Sequence, residues 1–379
     1  MEVVGVRVVE VTRFGGPEVL VAVDAPDPVP GPGEVVVEVA AADVLWVETM
    51  IRKGQGGDYF PVRPPYRPGS GVAGTVALVG AGVDPAWAGR RVVTRTGPPG
   101  GYGERALVPA EGLIPVPDAV ALTDAAALLH DGVTALGLMD IVAVEAGDRV
   151  LITAAAGGLG ALLVQLAHAA GAEVVAAARG ARKLERLGPL GADLVVDYSA
   201  PDWTGQVRAG GRGVDVVLDG AGGAYGRAAL ALVSPGGRFS GHGMPAGSFV
   251  GHGDPVPAGV TVTGIERVQF GPEQFRHYAA AALSEAAAGR LRPLIGQTFP
   301  LDRAADAHAA IEDRTAIGKT LLTRRGPISC GGRRSCGTIR RWPGPRGHGR
   351  SAGGLPPGRH AGRAVPQCRR WRAAGRPGR

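Results

Sequence analysis

The residues Ala155-Ala156-Gly157-Gly158-Leu159-Gly160 carry the plainest chemical signal in the chain. They follow the apolar run VLITAA and open the run GLGALLVQLAHAAG, so small residues stand where a buried strand turns into a helix. This is the dinucleotide-binding spacing with alanine in its first glycine slot. Gly157 lets the backbone approach a pyrophosphate, and Gly160 allows helix and strand to pack closely. Ala156, Gly158 and Leu159 complete a turn whose free N–H groups, with the helix dipole behind them, favour phosphate charge. A glycine-rich packing turn is the alternative, but strand, turn, helix and a further strand occur here in the order a nucleotide site needs.

The end of the next strand selects the dinucleotide. Where NAD is bound, an acid about 20 residues on grips the ribose hydroxyls. This chain instead has AAARGARK, with Arg179, Arg182 and Lys183 and no acid. A carboxylate repels a 2′-phosphate, whereas these cations hold one through charge-assisted hydrogen bonds, so NADPH is expected over NADH. The competing reading is a solvated helix face.

Other polar residues carry weaker signals. Glu48 reads as a polar contact or general acid, or else as an ordinary exposed carboxylate. His130 and Asp131 are adjacent; neighbouring helical side chains diverge, so capping or core satisfaction is preferred over a proton relay. His242 and His252 each sit in GHG, yet no carboxylate or third histidine stands at ligand spacing, and no metal is expected. Residues 247–259 read as a loop that frames a pocket or merely connects.

The elements around these residues fall into two styles. Residues 1–125 read as β, with alternating or apolar runs between Gly/Pro turns. TDAAALLHDGVTALGLMDIV then has helical spacing, with Thr123 as its N-cap. From DRVLITAA onward strand and helix alternate, through EVVAAAR, ADLVVDY, VDVVLDG, GGRFSGHG and VTVTGIERV. That alternation implies α/β architecture with a doubly wound parallel sheet. Two further helices and the strand GKTLLTR follow.

The formal charge of +7 over 379 residues invites a nucleic-acid reading, but it is local. Residues 327–379 hold 13 Arg and no Lys, Asp or Glu, leaving 28 basic against 34 acidic residues in the body, a charge of −6. The tail is rich in Gly, Pro and Arg and poor in aliphatics, so disorder is expected, and non-specific nucleic-acid binding belongs to it alone. Cys330, Cys336 and Cys368 all lie there; a cysteine-free body fits a reducing cytoplasm. No signal peptide is apparent, and the uncharged run Leu151–Ala172 is broken by its glycine turn, so no membrane span is expected.

Over residues 1–325 the sequence resembles the zinc-independent quinone oxidoreductases of the medium-chain dehydrogenase/reductase superfamily. The resemblance rests on AAAGGLGALLVQLAHAAGAEVVAAA, on GGYGERALVPAEGLIPVPDAVALTDAAAL, on GADLVVDY and on IGKTLLT. It implies a GroES-like β-rich catalytic domain (1–125 and 269–326) around an inserted Rossmann domain (126–268), commonly in a homodimer. By motif, Lys183 and Tyr198 resemble the family's 2′-phosphate contacts, with Arg179 a local candidate. Thr134 resembles a threonine near the nicotinamide, and Gly222, Gly241 and His242 fall in loops bordering the cofactor cleft. ADVLWVETMIRKG aligns with the active-site strand and would place Glu48 in it. Leu45 stands where relatives carry cysteine or asparagine, and Gly69-Ser70-Gly71 replaces a zinc motif. Met50 replaces a tyrosine; Tyr59 is the substitute candidate for proton donor, with solvent as the alternative. Without zinc there is no Lewis acid for an alcohol, so the expected reaction is hydride transfer to a quinone or α,β-unsaturated carbonyl compound. The alternatives are an enoyl reductase acting on a polyketide-like intermediate and a non-catalytic NADPH- or RNA-binding member of the fold.

Overall fold

The computed structural model describes residues 5–324 apart from 210 and 252. The arginine-rich tail, its three cysteines and His252 lie outside the described residues.

Two sheets organise the chain. The first has six parallel strands in the order Leu194–Asp197, Glu173–Ala178, Arg149–Thr153, Val214–Asp219, Val233–Gly241, Thr261–Gly264. Chain order thus reverses between the first and fourth strands of this sheet, which opens a crevice at their carboxyl ends. The apolar runs are continuous because both faces are covered. Val150, Ile152, Val174 and Ala176 pack into one core layer. Their neighbours Leu151, Val175 and Ala177 pack into the other, since successive strand residues point to opposite faces. Burying such a Val, Leu or Ile side chain contributes about 1.5–3 kcal/mol.

The second sheet draws on both ends of the described chain. Glu34–Val44 pairs antiparallel with Gly71–Val79 on one side, and on the other with Arg105–Pro109 over its first half and Lys319–Thr323 over its last residues. Ile295–Pro300 continues beyond that last strand, and Arg91–Arg95 follows Gly71–Val79. Val35, Val37, Val72, Val92 and Val108 form its separate core.

The helix Leu122–Val142 joins the two halves. Ala126, Leu129 and Leu138 are buried in a layer that takes Ala41, Ala73 and Leu321 from one sheet and Val150 and Ile152 from the other. It is long and apolar enough to cross a bilayer, and 61% of the window that qualifies is buried within the protein. Its apolar character therefore serves the core.

Some local expectations need correction. Thr123 is not the N-cap of this helix: Ala121 occupies that position and no side chain caps it. ARKLERLG forms only the single turn Ala181–Leu184, and VTVTGIERV is a strand over Thr261–Gly264 followed by a 3-10 turn. Glu48 does not lie in a strand. The strand ends at Val44, and the chain turns at Leu45 into the helix Trp46–Arg52, which carries Glu48 in its first turn. The Glu48 carboxylate accepts the Leu45 N–H at 3.0 Å, a short-range bond that stabilises helix over strand here.

Candidate functional site

The glycine turn leaves Thr153 and enters the helix Gly158–Ala169. Gly160 is held to glycine by contact: a Cβ there would lie 2.4 Å from Ala154 O and 2.7 Å from Ala155 Cα. Ala156 is buried, while Gly157, Gly158 and Leu159 are half-buried. At Gly157 a Cβ would meet only Ala154 O, at 3.3 Å. The turn is braced from far away in sequence, because Gly318 N donates to Ala156 O at 2.7 Å.

The crevice wall continues at the fourth strand of the parallel sheet. Asp219, fully buried, accepts from Thr153 Oγ1 at 2.6 Å and from the N–H groups of Ala221 and Gly222. Burial pushes its carboxyl up despite these bonds. Gly222 has φ +70°, and a Cβ there would meet Ser248 O at 2.4 Å, so the loops after the fourth and fifth strands pack backbone to backbone. Gly241 ends the fifth strand; the adjoining His242 is buried, and burial lowers its pKa to about 4, so it is neutral at pH 7. Thr134 is half-buried on the helix Leu122–Val142.

Beyond the second strand of the parallel sheet, Arg179, Lys183 and Tyr198 come together, and two further residues join them. Arg179 Nη2 donates to Tyr225 Oη at 2.8 Å and its guanidinium lies 5.6 Å from that ring's centroid. Tyr225 in turn stacks on Tyr198, with centroids 4.5 Å apart. Lys183 Nζ donates to the Arg314 backbone carbonyl at 2.7 Å. Desolvation, then the Arg179 and Arg314 charges, lower the Lys183 pKa. Three cations and two phenols thus gather on one surface. Arg314 and Tyr225 escaped sequence reasoning because they are 131 and 46 positions from their partners, with no local pattern to mark them. Asp197, an acid at the end of the third strand of this sheet, is occupied by Gly180 N at 3.0 Å and by Ser199.

Asp131 lies against the glycine turn, and with His130 it meets the second sheet. His130 Nδ1 lies 2.8 Å from Asp43 Oδ2, and Lys319 Nζ reaches both Asp43 (3.3 Å) and Asp131 (3.2 Å). The two adjacent side chains thus belong to one network, joined through Asp43 and Lys319. Burial alone would raise the Asp43 carboxyl, but His130 and Lys319 outweigh it and hold it low.

A cavity of about 590 Å³ opens beside the helix Trp46–Arg52, with Glu48, Ile51, Tyr66, Arg67 and Ser70 in its wall. Glu48 is 3% exposed, so it is not a surface carboxylate. Its Oε1 accepts from Ser70 N and Oγ, both at 2.8 Å, and its Oε2 from Leu45 N and from Tyr102 Oη at 2.9 Å. Burial and then the Asp43 charge raise its pKa against those bonds. Tyr102 spends its one proton on Glu48, so His308, whose Nε2 lies 3.1 Å from Tyr102 Oη, must donate there. Burial drives the His308 pKa down to about 3, in keeping with a neutral ring.

The structure does not bring Tyr59 to this cavity. Tyr59 is 92% exposed on the turn Gly57–Tyr59, and its neighbours Phe60, Pro61 and Val62 form the wall instead. Among the described residues, no group of three His, Cys, Asp or Glu side chains is placed to hold a metal ion.

Residues 31–118 match the alcohol dehydrogenase GroES-like domain, and residues 190–322 match the domain described as zinc-binding dehydrogenase. The quinone oxidoreductase of Sus scrofa is 32% identical over 321 residues, spanning 83% of this chain and 96% of that protein. A 2-haloacrylate reductase from a Burkholderia species is 32% identical, spanning 82% and 96%. A mycobacterial protein solved in complex with NADPH superposes with a TM-score of 0.74 at 34% identity, over 84% of this chain and 99% of that one. The Escherichia coli quinone oxidoreductase, also solved with NADPH, gives 0.75 at 28% identity, over 84% and 99%. A GroES-like half and a parallel nucleotide-type sheet define a medium-chain dehydrogenase/reductase. Within that superfamily the chain belongs to the quinone oxidoreductase family, and it is an oxidoreductase.

Proposed function

We propose that the protein is an NADPH-dependent reductase that delivers hydride to a quinone or an α,β-unsaturated carbonyl compound. The observation that carries the reading is the cluster of Arg179, Lys183 and Arg314 around the stacked Tyr198 and Tyr225, beyond the second strand of the parallel sheet. A half-buried lysine beside two arginines is disfavoured as a cation until an anion joins it, and a 2′-phosphate supplies two negative charges there. The crevice residues fit the rest of the cofactor. The close-packed turn Ala156–Gly160 would cradle the pyrophosphate, while Thr134, Gly222, Gly241 and His242 would line the nicotinamide side. The two neighbours solved with NADPH support this reading.

When bound, NADPH supplies a hydride; the protein supplies position and a dry surface. His242, neutral at pH 7, places no positive charge beside a nicotinamide that becomes cationic as it is oxidised. All four acceptor directions of Glu48 are engaged, so Glu48 acts as a positioning residue that fixes Ser70 in the cavity wall and ties it to the buried Tyr102. The proton that accompanies the hydride then comes from solvent, since Tyr59 stands away from the cavity. A cytoplasmic location and a homodimer belong to the same proposal. The test is oxidation of NADPH and of NADH with a panel of quinones and enones. The reading predicts a clear NADPH preference with at least one acceptor; equal use of the two cofactors removes the phosphate-clamp argument, and no oxidation with any acceptor removes the reductase.

A further inference from the structure

The cavity beside Glu48 has a polarity that a neutral quinone leaves unused. Tyr66 Oη and Arg67 Nε are both buried, and neither has a hydrogen-bond partner. Both residues line the cavity. Arg67 has no hydrogen bond or ion pair to any described residue. A guanidinium stays charged in proteins, so holding one half-buried without an acceptor costs free energy that a bound anion would offset. Arg63 adds a second, exposed cation to the same wall.

Two acids also line the cavity, Glu10 and Glu48. Glu48 is committed to Ser70, Leu45 and Tyr102. Glu10 bears on Arg67 through its charge but forms no ion pair with it. The remaining wall is apolar and stiff, with Ile51, Phe60 and Val62 among several prolines. Such a wall suits a small conjugated body, and the guanidinium and phenol suit two oxygens that carry a charge.

We propose that this cavity takes acceptors bearing a carboxylate, held by the Arg67 guanidinium and Tyr66 Oη: unsaturated oxo acids or acrylate-type acids. The inference rests on the reductase reading above and narrows its substrate class. In turnover the carbon β to the activating carbonyl gains the hydride, the carbon α to it gains a solvent proton, the C=C bond becomes single, NADPH leaves as NADP⁺ and the carboxylate is unchanged.

The test is calorimetric binding of 4-oxopentanoate and of its methyl ester to the full-length, NADP⁺-saturated protein. Wild type should bind the acid about tenfold or more tightly than the ester, the value of one charge-assisted hydrogen bond. Arg67→Gln should bring the ratio close to one, Arg67→Lys should keep part of it, and Glu10→Gln should raise acid affinity with little change for the ester. Equal binding of acid and ester by wild type, no measurable binding of the acid, or a preference that survives in folded Arg67→Gln would overturn the proposal. Oxidation of NADPH by 2-methyl-1,4-naphthoquinone, which has no carboxylate, is followed alongside with a matching unsaturated oxo acid. Quinone turnover without an acid preference rejects the anion site and keeps the reductase. An acid preference in binding, with no acceptor turned over, keeps the anion site and rejects the reductase.

Discussion

The two halves of the candidate site are built from different kinds of information. The nucleotide half is local: strand, turn and helix run from Arg149 to Ala169 without interruption. The half around Glu48 is assembled from distant pieces. Glu48 meets Tyr102 across 54 positions, and Tyr102 meets His308 across 206. The first kind of site advertises itself by spacing. The second exists only once the sheets have closed, and its polar groups are satisfied one by one by residues that have no sequence relation to each other.

The contrast makes graded predictions. The largest effect is expected at the local half. Gly160→Val drives a branched side chain into Ala154 and Ala155, which should cost about 3 kcal/mol or more of stability and abolish NADPH binding, as read by chemical denaturation and calorimetry. A folded variant that binds NADPH normally would break the claim that close packing shapes this turn. Next comes Glu48→Ala in the assembled half. It strands Leu45 N–H, both Ser70 donors and Tyr102 Oη, and should cost about 2–4 kcal/mol, with Glu48→Gln milder because it leaves one carbonyl acceptor. Loss of NADPH affinity equal to that of the glycine variant would show that the two halves are not separable.

Smaller effects sharpen the boundary between the halves. Arg314→Ala should weaken NADPH binding about tenfold and NADH binding much less, as Arg179→Ala should, although Arg314 lies far from the fingerprint. Equal losses for both cofactors would remove Arg314 from the phosphate surface. Near neutral pH the smallest effect is that of His308, which emerges only on acidification. The His308 pKa is depressed in the fold to about 3, below its ordinary 6.5. Its contribution to stability is therefore complete above pH 6.5 and is lost as pH falls towards 3, at no more than about 1.4 kcal/mol per unit. His308→Gln should flatten that part of the stability–pH curve relative to wild type; parallel curves would mean that His308 is not held neutral.

What could be read in advance follows the same division. The apolar runs of the parallel sheet are legible because burial on both faces leaves no alternation to misread. The cations after the second strand of that sheet are legible by position, yet Arg314 and Tyr225 are not, since only tertiary folding delivers them. Glu48 is expected in a strand because ADVLWVETMIRKG resembles the active-site strand of relatives, which follows the apolar run into Val44. The bond from its own carboxylate to Leu45 N–H ends that run in a helix. Tyr59 is a candidate only by resemblance, standing for a tyrosine that relatives carry just after that segment, and a tyrosine in a Gly-rich turn has no packing to draw it inward.

The last strand of the GroES-like sheet has a consequence for how the protein is made. Lys319–Thr323 supplies an edge to Glu34–Val44, and Gly318 ties down the nucleotide turn. A ribosome must therefore release almost the whole body before either half is complete. The parallel sheet, contiguous from 149 to 264, has most of its partners earlier, and the valine-rich N-terminal strands wait beside it with an open flank. Folding speed and aggregation during synthesis should then be governed by how soon residues 314–323 arrive, because closing contacts of such long sequence separation is slow.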